Sequence, residues 1–274
     1  MPEPPRFDPI ERAWILTRYD DVLAALKEPG LLQTGRSGPI DAEEQQRARA
    51  QVLAALPLAR SDEWQPRMEA SARDILARLP EDRSIDLVSA LVKPWCQAAV
   101  PIVMPGYLKP LSKGLTETLP AFLSNALLDL IRNPDELRKL RAEPQSMTRA
   151  VEELLRHASL VHTLLRTATE DIEIGGEQIA RGQRVILKLA EANRDSERFC
   201  EAERLDVGRK QSGHLSLGAG EHSCAGALAV RLASSVVVGA FAAEFRRAEL
   251  AGPVEWHDGS TLAWPVSLPA MLRR

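Results

Sequence analysis

The ten residues Leu217-Gly218-Ala219-Gly220-Glu221-His222-Ser223-Cys224-Ala225-Gly226 hold one thiol in a glycine-rich loop, directly before a small-residue helix pattern running from Ala227 to Ala243. Glycine lacks a Cβ and reaches positive φ, so the residues at 218, 220 and 226 are expected to let backbone approach something flat or bulky. Cys224 falls at the mouth of the helix, where unpaired N–H groups and the positive end of the dipole stabilise a sulfur anion. One chemistry open to it is nucleophilic, with His222 as the activating base. A duller one is structural, since a single cysteine commonly serves as a small buried hydrophobe in a turn. A phosphate loop does not fit: the Gly-Lys-Ser/Thr ending is missing and Glu221 would repel an anion.

These residues resemble the signature of the cytochrome P-450 haem-thiolate family, Phe-Gly-x-Gly-x-His/Arg-x-Cys-x-Gly, at every position but the first, where Leu217 replaces Phe. The resemblance implies a mainly α fold with small β-sheets (α+β) and a bound haem b, iron protoporphyrin IX. It further implies Cys224 as the iron ligand, with Leu217, Gly218, His222 and Gly226 against the haem. Because Phe normally packs beside the ligand, Leu217 is expected to alter the iron's potential through packing and solvent access.

Further family phrases follow in order. Trp14-Ile15-Leu16-Thr17 reads as a strand and Asp20 to Leu26 as a capped helix stopped near Pro29-Gly30; Arg18-Tyr19-Asp20-Asp21-Val22 repeats the family's opening. A polar helix pattern spans Asp41 to Ala55, and an amphipathic one spans Ser61 to Leu79 with Trp64, Met68, Ile75 and Leu76 on one face. In the family the first of these carries a His and, four residues on, an Arg that hold a haem propionate. Here the pair reads Gln45 and Arg49, so the resemblance keeps Arg49 as a propionate ligand and loses the His; taken alone, Arg49 reads as a solvated surface charge.

The segment Ile85 to Val103 is apolar and punctuated by proline, and Leu111 to Ile131 covers nearly every side of a helix, as a central helix does. On it, Gly114-Leu115-Thr116-Glu117-Thr118 falls where the family handles oxygen, which implies Glu117 and Thr118 as a carboxylate and hydroxyl proton relay. Leu115 stands where a Gly normally opens a groove, and Pro120 would cost about 3 kcal/mol inside a helix. The other reading makes Thr116 and Glu117 caps of a helix beginning near Leu119-Pro120. Downstream, Glu153-Leu154-Leu155-Arg156 is by itself an exposed helix pair, with Val151, Leu154, Leu155 and Ala158 as the apolar face. In the family it is buried and tied to an Arg that maps here to Arg204. Arg166 opens a strand and hairpin returning at Val185-Ile186-Leu187, and by match it grips a propionate; a guanidinium suits a carboxylate bidentately. Pro253 to Pro269 reads as two short strands around Asp258-Gly259.

The family's loop over the haem has no room between Thr34 and Asp41, nor its lid helices between Pro105 and Gly114, so the expected molecule is one domain over residues 1–274, truncated on the distal side. Such a centre points to hydroxylation or peroxygenation of a small organic substrate; a non-catalytic haem binder or regulator is the alternative. An uncovered apolar concavity invites a homodimer, and Arg209, Lys210 and Arg231 would offer a ferredoxin-type donor a landing patch. The formal net charge of -3 gives no hint of nucleic acid, and three scattered cysteines suit a reducing cytoplasm. No membrane anchor is visible, and the late apolar segment, interrupted by Arg231, reads as too short to span a bilayer.

Overall fold

A computed structural model describes residues 3–35, 38–39, 42–55, 61–103, 114–259 and 261–274. The two expected gaps, after Thr34 and after Pro105, lie largely outside them, as do Asp41, residues 111–113 and the side chains of Gln45 and Leu115.

The chain opens with β1 (Arg6–Asp8) and β2 (Ala13–Leu16), then α1 (Tyr19–Lys27), whose buried face is Tyr19, Asp21, Val22, Ala25 and Leu26. β3 (Leu31–Gly35) and β4 (Gly38–Pro39) precede α2 (Ala42–Ala55) and α3 (Ser61–Leu76). α3 buries Trp64, Met68, Ala72 and Leu76, one residue per turn, as its periodicity requires. After β5 (Ser84–Asp86), a π-helical turn over Val88–Val92 leads into α4 (Lys93–Val103).

The central helix is built differently from the single run expected between Leu111 and Ile131. Gly114–Thr118 forms a π-helical turn, and the α-helix proper, α5 (Leu119–Arg132), starts with Pro120 in its first turn, where a missing N–H costs nothing. Thr118 stands at the joint in helical conformation without making a side-chain cap. On α5 every side chain but Asp129 and Arg132 is buried. Its two buried polar groups are satisfied, Ser124 Oγ donating to the Pro120 carbonyl at 2.8 Å and Asn125 Nδ2 to the Ala263 carbonyl at 2.7 Å.

α6 (Pro134–Ala142) and α7 (Met147–His157) follow, then β6 (Thr163–Ala168), the hairpin β7 (Ile172–Ile174) and β8 (Glu177–Ile179), and β9 (Arg184–Lys188). A meander over residues 193–216 leads to the cysteine loop and α8 (Ala227–Glu244). The chain ends in β10 (Arg247–Leu250), β11 (Glu255–Trp256), β12 (Pro265–Ser267) and β13 (Pro269–Arg273). Among the described residues the strands form a six-stranded sheet, β1-β2-β9-β6-β3-β4, a three-stranded sheet, β10-β13-β5, and two hairpins. The mainly α architecture with small sheets is the one expected. α8 has 18 residues and a mean hydropathy of 1.6, long and apolar enough to cross a bilayer, which corrects the expectation that it is too short; 44% of it is buried in the fold.

Glu153 and Arg156 are an internal pair, each side chain 2% exposed. Glu153 accepts both Arg156 forks at 2.8 Å, the Asp206 backbone N–H at 3.0 Å and Arg209 Nε at 3.0 Å. The third member of the cluster is therefore Arg209, not Arg204. Arg204 lends its carbonyl to both guanidiniums while its side chain pairs with Glu201 at the surface. The physical reason is reach: the meander turns back on itself, so the buried side chain comes from five residues further along.

Arg209→Leu should strand half of this cluster and destabilise the fold by about 3–5 kcal/mol, whereas Arg204→Ala should cost no more than about 0.5 kcal/mol. Urea unfolding of the two variants, with m-values compared, measures both.

Candidate cofactor site around Cys224

The cysteine loop is shaped by its backbone. Gly218 (φ +70°) and Gly220 (φ +67°) take left-handed conformations, and a Cβ on Gly220 would sit 3.2 Å from the Leu26 carbonyl oxygen. Gly226 has φ −86° and serves as the N-cap of α8, so its place does not rest on positive φ. Cys224 N–H donates to the Leu217 carbonyl at 2.7 Å, closing the loop, and α8 begins three residues after the cysteine. The Cys224 thiol is free and exposed; Cys96 is buried in the helical core, where desolvation pushes its thiol up to about 12.

That loop forms one wall of an apolar cavity of about 880 Å³, counting its open mouth. Leu26, Leu119, Phe122, Leu160, Val161, Leu164 and Leu189 supply most of the remaining surface. The polar atoms on it belong to Cys224, His222, Arg166, Thr118, Ser216 and Gln33. Of the residues expected at a haem, Cys224, His222, Arg166, Leu217, Gly218 and Thr118 thus line one space. Arg49, Glu117 and Gly226 are not part of that lining. Arg49 instead holds the loop at Ser223, where Nη1 donates to the carbonyl and Nη2 to Oγ at 3.2 Å, so it is not merely solvated.

Arg166 is the unusual group. It is 3% exposed, its Nη1 donates to the carbonyl of its own neighbour Leu165, and among the described residues no carboxylate pairs with it. Burial lowers its pKa, the response of a cation lacking a counter-charge. His222 is lowered as well, first by burial and then by Arg166, with Arg49 adding to the effect against Glu221. Positive charge therefore gathers at one end of an apolar slot. Gln33, which sequence reasoning missed, lies directly across the β3–β6 pair from Arg166 and lines the same end. Its only signal would have been the strand pairing, which spans more than a hundred residues.

Arg231 makes a bidentate pair with Glu152 at 2.6 and 3.0 Å, and Arg209 is buried against Glu153. Two of the three cations expected to form a landing patch are thus already committed, and Lys210 is the exposed one.

A flat apolar group carrying two carboxylates and a thiolate-seeking metal matches these walls. Carboxylates would meet Arg166, His222 and Gln33, and Cys224 would face the metal. Among the described residues no cluster of three or more His, Cys, Asp or Glu could hold a bare ion, so a single cysteine suits an iron held by its own macrocycle. No hydrogen bond joins His222 to the Cys224 sulfur, which speaks against the activated nucleophile.

Comparison with known proteins agrees. The family model for Cytochrome P450 matches residues 114–249. Cytochrome p450 CYP199A2 from Rhodopseudomonas palustris is 41% identical over 162 residues, which are 59% of this chain but 39% of that relative. The chain thus spans about two-fifths of the length of that relative. Cytochrome P450 107B1 from Saccharopolyspora erythraea is 26% identical over a 340-residue alignment covering 85% of this chain and 84% of the relative. An alignment longer than the 274-residue chain means that the relative carries internal segments with no counterpart here. The crystal structure of P450BioI in complex with hexadec-9Z-enoic acid ligated Acyl Carrier Protein superposes with a TM-score of 0.86 at 19% identity, covering 95% of this chain and 92% of that one. Family members bind haem b through a cysteine, and the cavity here has the residues to do so. The chain belongs to the cytochrome P450 family, as a member shorter than its full-length relatives.

Proposed function

We propose that the chain is a single cytoplasmic haem domain that ligates haem b through Cys224 and oxidises a small organic substrate, by hydroxylation or peroxygenation. The observation that carries this is the meeting of Cys224, His222 and the uncompensated Arg166 in one apolar cavity. When bound, a thiolate-ligated haem supplies oxygen or peroxide activation, because the thiolate pushes electron density that favours O–O cleavage. The chain's own residues do the rest. Arg166 and His222, with Gln33 beside them, would bind the haem carboxylates; Arg49 orients the loop by holding Ser223; the leucines and Phe122 exclude water.

In this reading Thr118 moves protons. Its hydroxyl sits on the cavity wall, where the π-helical turn gives way to α5, and a hydroxyl both accepts and donates. Glu117, the next residue back and exposed to solvent, supplies the carboxylate that reloads it. The position of Thr118 favours an enzyme over a non-catalytic haem binder. A ferredoxin-type donor would approach the Cys224 side near Lys210. The reading needs no second copy of the chain.

The reduced, carbon-monoxide-bound protein should show the red-shifted Soret band of a thiolate-ligated haem, lost in Cys224→Ala and kept in Cys96→Ala and Cys200→Ala. No haem, or a band of histidine ligation, sinks the proposal. For Arg166→Leu, haem affinity should fall by about 10- to 100-fold, while urea unfolding of the haem-free protein shows a gain of about 1 kcal/mol, since an unpaired buried cation has been removed. Thr118→Val should lower product yield about 100-fold with oxygen and a ferredoxin system and leave peroxide-driven turnover within about twofold of wild type, because peroxide arrives with its protons. Turnover no faster than free haem with both oxidants would establish the binder instead.

A further inference from the structure

The residue before the buried Glu153 is also a carboxylate, and it faces the other way. Glu152 on α7 holds both ends of the cysteine loop. At the exit, Arg231 on α8 donates Nε to one oxygen at 2.6 Å and Nη2 to the other at 3.0 Å. At the entry, His214 Nε2 lies 3.3 Å from Glu152 Oε2. That contact is electrostatic rather than a well-aligned hydrogen bond, since Nε2 otherwise lacks a partner. The His214 ring is fixed from its far side, where Nδ1 accepts the Ser216 backbone N–H at 3.2 Å, which leaves Nε2 directed towards the carboxylate. The same helix supplies a second hold one turn on: Ser216 Oγ donates to the Leu155 carbonyl at 2.5 Å. Leu217, whose carbonyl accepts the Cys224 N–H, is the next residue.

We infer that Glu152 is a positioning residue for Cys224: its carboxylate ties the loop's entry at His214 to its exit helix at Arg231 and so fixes the angle at which the thiolate meets the haem. Burial raises the cost of charging this carboxylate, yet His214 and Arg231 together hold its pKa down to about 2, so the clamp is ionised at working pH. The pair is not a generic surface bridge, because Glu152 is 27% exposed and His214 4%. Nor does Glu152 duplicate Glu153, whose oxygens are filled by Arg156, Arg209 and the Asp206 N–H.

The inference about the haem rests on the proposed cofactor, whereas the clamp itself does not, and two measurements keep them apart. In haem-free protein, hydrogen exchange of the Cys224 amide should speed up about tenfold in Glu152→Ala, as expected for loss of one partly buried ion pair, with Glu152→Asp recovering part of the protection. In haem-bound protein, Glu152→Ala should move a substantial share of the carbon-monoxide complex from the thiolate band to the short-wavelength band of a lost or protonated thiolate. Glu201→Ala, which breaks a surface pair elsewhere, controls for stability and should leave both readouts unchanged. Unchanged Cys224 exchange in Glu152→Ala overturns the clamp. Faster exchange with an intact thiolate band overturns its role toward the haem. A wild type without any thiolate band overturns the cofactor reading and that role together, and leaves the exchange result to decide the clamp.

Discussion

The fold depends on one carboxylate held between two guanidiniums in its interior. Glu153 is neutralised by Arg156 and Arg209, and the excess positive charge of the trio is met by carbonyls, those of Asn193, Ala202 and Arg204 on Arg156 and of Cys200, Glu201 and Arg204 on Arg209. A buried charge is tolerable only when its donors and acceptors are all used. Satisfying them requires the meander to bring five or six backbone groups to one point, so the cluster dictates the path of a segment that has little regular structure. Phe199 packs under the Arg156 guanidinium at 5.2 Å and edge-on to Tyr19 at 5.6 Å, which joins the meander to the first helix. The charges are worth less for the energy they add than for the conformation they exclude.

Helix α7 then serves as a two-sided template. One face, through Glu153 and Arg156, shapes the meander; the residue before each of these, through the Glu152 carboxylate and the Leu155 carbonyl, shapes the cysteine loop that the meander delivers. Asn193 links the two, accepting from Leu215 N–H at 2.7 Å and donating to Ser216 Oγ at 2.8 Å while its own carbonyl takes Arg156. Placement of the thiol is thus inherited from buried polar bonds, and the apolar cavity across it is left largely to α5 and the strands β3 and β6.

The sequence made the order of elements legible because most signals were local: a Pro-Gly stop after α1, a hairpin around Gly175-Gly176, one buried residue per turn on α3. The cysteine loop was legible for the same reason. What stayed hidden is what depends on chain reversal. Arg204 was the expected partner of Glu153 because nothing local tells which arginine of a meander turns inward, and Arg209, read as a surface charge, is the one that does. Gln33 reaches the cavity only through pairing with β6, and Glu152 carried no signal of its own, because helical periodicity alone cannot say that a loop from sixty residues later lies over it. Thr118 lines the cavity from a π-helical turn, whose wider winding no apolar pattern announces.

The electrostatics of the cavity bind its occupancy to the stability of the fold. Arg166 and His222 share one poorly solvated end with Gln33, burial lowers both titrating groups, and Arg166 and Arg49 add their positive charge to the effect on His222. In the haem-free chain this is a standing cost, offset by the apolar packing of α5 and by the Glu153 cluster on the other side of the loop. A ligand that brings carboxylates to that end removes the cost and leaves the packing in place, so its binding energy includes relief that no contact list would count. A shortened chain can therefore retain the site. Much of what holds Cys224 lies behind it, in α7, the meander and α8, and what draws a ligand in is charge already stored at the far end of the slot.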